Sequence, residues 1–170
     1  MTRLLLPLDH HADCAAPAEL ALLHRLKTLP RRVQQVFLLN RLDQLSHADI
    51  ARRLELPDAT VERHMNQVLQ YSLPAPSSVD RTAGQWYVRL QSPQVTPSER
   101  IDFRRWLDAA PEHLAAFHAT ELRWRSLLAP ARQLGENHWY RQTRAAFSLG
   151  GCAVAMGLGV AALVALGFWS

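Results

Sequence analysis

Ser46-His-Ala-Asp-Ile-Ala-Arg-Arg-Leu-Glu-Leu-Pro-Asp-Ala-Thr-Val-Glu-Arg-His-Met-Asn-Gln-Val-Leu69 decides the fold. Ser46 is a helix-capping residue type, and Asp49 stands three positions on, close to a capping box. Ile50, Ala51 and Leu54 then recur at helical spacing. Leu56-Pro57 makes a short turn. Over Thr60–Leu69, Val61, Met65, Val68 and Leu69 fall on one stripe, and Thr60, Glu62, Arg63, Asn66, Gln67 and Gln70 fall outside it. The pattern predicts two helices joined by a tight turn, the second with a polar outward face.

That arrangement is the geometry that enters a major groove. Arg, Asn and Gln can make bidentate contacts to base edges, and Arg31, Arg32, Arg41, Arg52 and Arg53 are candidates for phosphates. The competing reading is an ordinary solvated helix face.

Helical spacing continues on both sides. Upstream, Met1–Pro17 reads as an irregular leader and Glu19–Thr28 as a helix. Pro30 opens the next helix, which runs to about Leu42, at a position where a missing N–H costs nothing. Downstream, Leu73-Pro-Ala-Pro-Ser-Ser78 is a linker without periodicity. Asp80–Gln91 carries Ala83, Trp86, Tyr87 and Leu90. Thr96-Pro-Ser-Glu99 is a capping box with Pro in the first turn, and Ile101, Phe103, Trp106 and Leu107 follow it. Pro111 starts a further helix with Leu114, Phe117, Leu122, Trp124 and Leu127 or Leu128, and Pro130 ends it. No stretch alternates with period two, so the expected class is all-α.

Composition excludes several functions. The chain has 170 residues and a net charge of +4; Lys27 aside, its 19 basic residues are Arg. An Arg-rich surface suits phosphate contact. Cys14 and Cys152 lie in unlike surroundings and are not expected to pair, which fits a reducing compartment. His10, His11, Asp13 and Cys14 lack the paired spacing of a zinc site, so no metal is expected. With no Gly-rich phosphate loop, paired carboxylates or nucleophile elbow, no catalytic residue, cofactor or enzyme activity is expected.

Arg144 is the last charged residue, and Ala145–Ser170 contains no Asp, Glu, Lys, Arg or His. A helix of roughly 20 apolar residues spans the roughly 30 Å core of a bilayer. The run therefore reads as a C-terminal transmembrane helix, against the competing reading of a buried core helix. Arg141 and Arg144 before it put the N-terminal part in the cytoplasm by the positive-inside rule, with Trp139, Tyr140 and Trp169 as candidates for the membrane interfaces.

The longer string Leu26-Lys-Thr-Leu-Pro-Arg-Arg-Val-Gln-Gln-Val-Phe-Leu-Leu-Asn-Arg-Leu-Asp-Gln-Leu-Ser-His-Ala-Asp-Ile-Ala-Arg-Arg-Leu54, with Thr60-Val-Glu-Arg-His64, resembles region 4 of extracytoplasmic-function (FecI-like) factors of the sigma-70 family. The resemblance covers about Pro17–Leu73. It implies reading of a −35-like promoter element and docking on RNA polymerase, with Thr60, Arg63, His64 and Gln67 facing DNA beside Arg52 and Arg53. The family's turn has Gly where Glu55 stands and a capping Ser where Pro57 stands; Asp58 is the alternative cap. Nothing resembles region 2, so a complete sigma factor is not expected.

Trp86-Tyr-Val-Arg-Leu-Gln-Ser92, Thr96-Pro-Ser-Glu-Arg-Ile-Asp-Phe-Arg-Arg-Trp-Leu-Asp108, Pro111-Glu-His-Leu-Ala-Ala-Phe117 and Trp124 look like the cytoplasmic domain of FecR-type sigma regulators. That resemblance implies binding to a sigma region 4, in cis or in trans, through Trp86, Trp106 and Trp124. The bare residue reading makes the same three rings the core of a small helical domain.

The expected organisation is a leader (1–17), a region 4-like helix-turn-helix (18–73), a linker (74–79), an anti-sigma domain (80–130), a juxtamembrane segment (131–147) and a transmembrane helix (148–169). The expected function is a non-enzymatic, membrane-anchored transcription regulator in iron- or siderophore-type cell-surface signalling. Its expected place is the bacterial inner membrane, single-pass, with promoter DNA, RNA polymerase, a sigma region 4 and the lipid bilayer as partners. The alternatives are a membrane-held protein that binds a separate sigma factor without touching DNA, and an incomplete product of a longer sigma/anti-sigma fusion.

Overall fold

The computed structural model describes residues 10–142, with side chains from residue 19 on. The described residues form eight α-helices and a closing 3-10 turn. They are α1 (His10–Lys27), α2 (Arg31–Arg41), α3 (His47–Leu54), α4 (Asp58–Tyr71), α5 (Ser78–Arg89), α6 (Pro97–Ala109), α7 (Pro111–Ser126), α8 (Leu128–Leu134) and the turn Trp139–Arg141.

α2 is the hub. Val33, Gln35, Val36, Phe37, Leu38 and Leu39 are all buried, because other elements pack around the middle of this helix. α3, α4, α8 and the 3-10 turn pack on it, and α1 packs on α8. α5 lies between α4 and α7, with α6 outside against α7. A single apolar core runs from Leu22 and Leu26 through Phe37 and Met65 to Val88, Trp124, Leu127 and Tyr140. The two helical units expected on either side of the linker therefore share one interior.

Local signals explain most helix starts. The Ser46 hydroxyl accepts the Asp49 amide. Ser77 with Asp80, and Thr96 with Glu99, each form a reciprocal capping box that satisfies two otherwise open helix donors. Other starts differ from expectation. α1 begins at His10, inside the segment read as an irregular leader. α4 begins with Pro57 at its cap and no side-chain cap, so Asp58 is not the substitute cap. α7 stops at Ser126, and Pro130 sits buried in the first turn of α8 rather than ending α7. Leu122 is 63 % exposed, since it lies about 140° round the helix from Phe117 at 3.6 residues per turn.

The largest correction concerns the C-terminal third. Among the described residues, no helix is long and apolar enough to cross a membrane. The expected span over 148–169 lies outside the described residues, as do Arg144, Cys152 and Trp169 and the side chains of His10, His11, Asp13 and Cys14. The described part of the segment read as juxtamembrane folds back onto α2. Tyr140 is 1 % exposed, and its hydroxyl donates to Asp43 at 3.1 Å. Arg141 forks onto the same carboxylate at 2.6 and 3.0 Å. The Trp139 indole N–H donates to the Leu134 carbonyl, and Arg31 stacks on its ring at 4.2 Å. Amphipathic rings suit a membrane interface, but these find their polar partners inside the protein. Among the described residues, the membrane anchor, the bilayer as partner and the single-pass inner-membrane topology give way to an all-α multi-helix bundle.

Candidate nucleic-acid interface

α3 and α4 meet as a helix-turn-helix. The turn depends on Glu55, which ends α3 in the left-handed region at φ 55° and ψ 45°. The Glu55 and Leu56 amides both turn back onto the Ala51 carbonyl. This is the position where the resembled family carries Gly, and left-handed backbone explains that preference. The guanidinium of Arg32 donates to the Leu54 carbonyl at 2.6 Å, a favourable place for a cation at a helix C-terminus.

α4 buries Val61, Met65, Val68 and Leu69. At 100° per residue, Thr60, Arg63 and Gln67 fall within about 60° of arc on the opposite side. Arg63 is exposed, and Thr60 and Gln67 are half-buried. His64 lies off that stripe. It is half-buried, and its Nδ1 has no partner among the described residues. Burial, with Arg63 and Arg32 beside it, pushes its pKa down, so it sits as a neutral ring in the flank.

The arginines divide by what they already hold. Arg52 is exposed and paired with Asp49. Arg53 is exposed and donates to the Arg141 carbonyl at 2.9 Å. Arg41 is engaged away from the helix-turn-helix: it stacks on Trp124 at 5.3 Å and donates to the Arg125 carbonyl at 3.2 Å. Of the basic candidates, Arg31, Arg32, Arg52, Arg53 and Arg63 are exposed, although Arg31 stacks on Trp139 and Arg32 also holds the Leu54 carbonyl, whereas Arg41 is half-buried and tied into the structure.

Trp86, Trp106 and Trp124 do not form one patch. Trp124 is 9 % exposed and reaches α2, meeting Phe37 edge-on at 5.8 Å. Trp86 packs on Phe103 at 5.6 Å. Trp106 stacks on the His113 ring at 4.6 Å near the α6–α7 turn. Phe103, Phe117 and Tyr87 link these rings into a continuous aromatic seam from α6 to α2.

Residues that sequence reasoning did not single out flank the α4 face. Arg89 of α5 reaches Glu62 on α4 at 3.0 Å with one terminal nitrogen. It holds Glu99 with the other two, at 2.8 and 3.1 Å. Gln94 donates to the Asp58 carboxylate at 2.7 Å. The Arg89 guanidinium and the Thr96 amide hold Glu99 well below the usual carboxylate range, at about 2. Between α4 and Gln85 of α5 runs an open groove of about 450 Å³. The Thr96–Glu99 capping box was legible, but nothing in sequence spacing brings Arg89 to Glu62.

A family model described as Sigma-70, region 4 matches residues 19–70, and one described as Domain of unknown function (DUF4880) matches residues 81–122. No curated protein and no solved structure matches the chain. The first match agrees with the region 4 resemblance. The second corrects the FecR-type assignment: the unit that follows the linker is similar to an uncharacterised helical domain. With no membrane-crossing helix among the described residues, this withdraws the sigma/anti-sigma hybrid on the membrane and its iron- or siderophore-type signalling role. Region 4, the family model matched by residues 19–70, is a non-catalytic, transcription-related domain. What the chain is similar to is thus a sigma region 4 followed by a helical domain of unknown function.

Proposed function

We propose that this protein is a transcription regulator whose region 4-like domain reads double-stranded promoter DNA, with α4 as the recognition helix. The carrying observation is the Thr60–Arg63–Gln67 stripe, turned away from the core, with Arg63 exposed and Thr60 and Gln67 half-buried. It lies on the second helix of a helix-turn-helix inside the segment similar to region 4. Arg63 and Gln67 are the side chains that can bond base edges in pairs, and Arg52 and Arg53 sit beside them for phosphates. His64 supports the face from its edge rather than reading it. The same similarity makes RNA polymerase the protein partner of this reading.

The test is selection of a preferred duplex from a random pool, followed by anisotropy titrations on selected and scrambled DNA. Arg63→Ala is expected to cost about 1–3 kcal/mol on the selected duplex and much less on the scrambled one. Arg52→Ala is expected to weaken both alike and to flatten the salt dependence. Equal losses on both duplexes for both variants would show that α4 reads no bases.

A further inference from the structure

α4 and α5 run antiparallel, side by side. Asp58 pairs with Gln94 and Glu62 with Arg89, while an added Cβ at Gly84 would sit 3.8 Å from the Leu69 side chain. The α4 residues facing α5, namely Asp58, Glu62 and Leu69, lie within about 40° of arc. The centre of that arc is roughly 150° round the helix from the centre of the Thr60–Arg63–Gln67 stripe. The unit built on α5 and α6 therefore docks behind the reading stripe and borders it only through Gln85, across an open groove that Arg63 and Gln67 also line.

What that unit does cover is negative charge. Asp58 and Glu62 are the only carboxylates on α4, and both lie at its N-terminal end. That end of a recognition helix contacts base edges and comes close to phosphates. A carboxylate there favours the helix dipole but repels the duplex. Arg89 divides its fork between Glu62 and Glu99. Glu99 also caps the Thr96 amide at 2.8 Å and so stays anchored to the start of α6. Gln94 occupies the Asp58 carboxylate from the neighbouring α5–α6 loop.

We infer that the α5–α6 unit is an electrostatic mask, with Arg89 as the positioning residue that screens Glu62 and lets α4 approach DNA. The docked unit then promotes binding in cis instead of blocking it. This rests on the DNA reading proposed above and specifies how that face is regulated: any event that pulls Arg89 from Glu62 weakens the grip on the duplex.

The experiment uses the full chain and a fixed duplex, titrated between 50 and 200 mM salt, with circular dichroism to confirm folding. Arg89→Ala is expected to weaken binding about tenfold on selected and scrambled duplexes alike, and to lower the salt slope by about 1, the effect of one phosphate-scale charge. Glu62→Gln in the same chain should restore affinity to within about twofold. Glu62→Gln alone keeps a hydrogen-bond acceptor for Arg89 and should tighten binding by a similar factor, so the outcome does not depend on how Arg89→Ala folds. Unchanged or tighter binding by folded Arg89→Ala, or no effect of Glu62→Gln in either background, overturns the mask while leaving the DNA reading intact. A folded parent chain that binds no duplex overturns the DNA reading and the mask together.

Discussion

The Trp124 indole meets the Phe37 ring edge-on, with centroids 5.8 Å apart and planes at 77°. One ring belongs to α7 and the other to the middle of α2, and edge-on contact is a favoured aromatic geometry. Through this pair, the helices after the linker share a core with the helix-turn-helix. Trp124→Ala is expected to cost about 3–5 kcal/mol and to shift a single urea transition followed by fluorescence and by circular dichroism. Trp106→Ala, at the half-buried outer end of the seam, should cost clearly less. Two separate transitions in the parent protein would show that the halves do not share a core.

Glu55 adopts left-handed backbone without being glycine. A left-handed L-residue costs roughly 1–2 kcal/mol, partly offset by the extra freedom glycine has when unfolded. Glu55→Gly is therefore expected to stabilise the protein by about 1 kcal/mol, read as a raised urea midpoint with unchanged slope. A lowered midpoint would mean that the Glu55 side chain contributes more than its backbone costs.

Gln35 is buried in α2 and holds the far end of the described chain. Its amide donates to the Tyr140 and Gln142 carbonyls at 2.8 and 3.0 Å and accepts from Arg32 at 2.9 Å. Gln35→Leu keeps the volume close but strands those partners, a loss of about 1–3 kcal/mol. The change should be local as well: amide exchange over residues 139–142 should rise by more than exchange in α3. Uniform acceleration across the domain would instead point to global destabilisation.

His47 is 1 % exposed, and neither ring nitrogen has a partner among the described residues. Burial lowers its pKa below 6.5, and the nearby Glu62 and Asp58 carboxylates only partly offset this. The unfolded chain then binds more protons than the folded one as pH falls through 6.5, so stability is present above that value and declines below it. His64 shifts in the same direction. Thermal midpoints should fall between pH 7.5 and 5.5. His47→Leu should lessen that fall without abolishing it, and should be neutral or stabilising at pH 7.5 because it removes unpaired buried polar atoms. A parent midpoint that rises on acidification would contradict this account.

Asp43 shifts in the same direction as His47, so it too loses stability as pH falls, but its cause differs. Burial raises its pKa, but hydrogen bonds from Arg141 and Tyr140 outweigh burial and hold it below the usual carboxylate value. Tyr140 and Arg141, which stand near an apolar run in the sequence, take this carboxylate as their partner. Two aromatics and an arginine beside an apolar run carry the same local pattern whether their partners are lipid headgroups or a carboxylate 98 positions upstream. The same limit applies to Arg41, a phosphate candidate by residue type that stacks on Trp124 in the fold.

By itself the sequence determined the all-α class, the caps at Ser46 and Thr96, the inward stripe of α4 and the stripe that faces away from it. Each of these is periodic or local, set by 3.6 residues per turn and by donors within three positions of one another. Only the tertiary structure decided that Arg89 pairs with Glu62, that Trp124 reaches Phe37, and that Tyr140 and Gln35 close the bundle. Those contacts join residues far apart in the chain, and their partners are chosen by how whole helices pack.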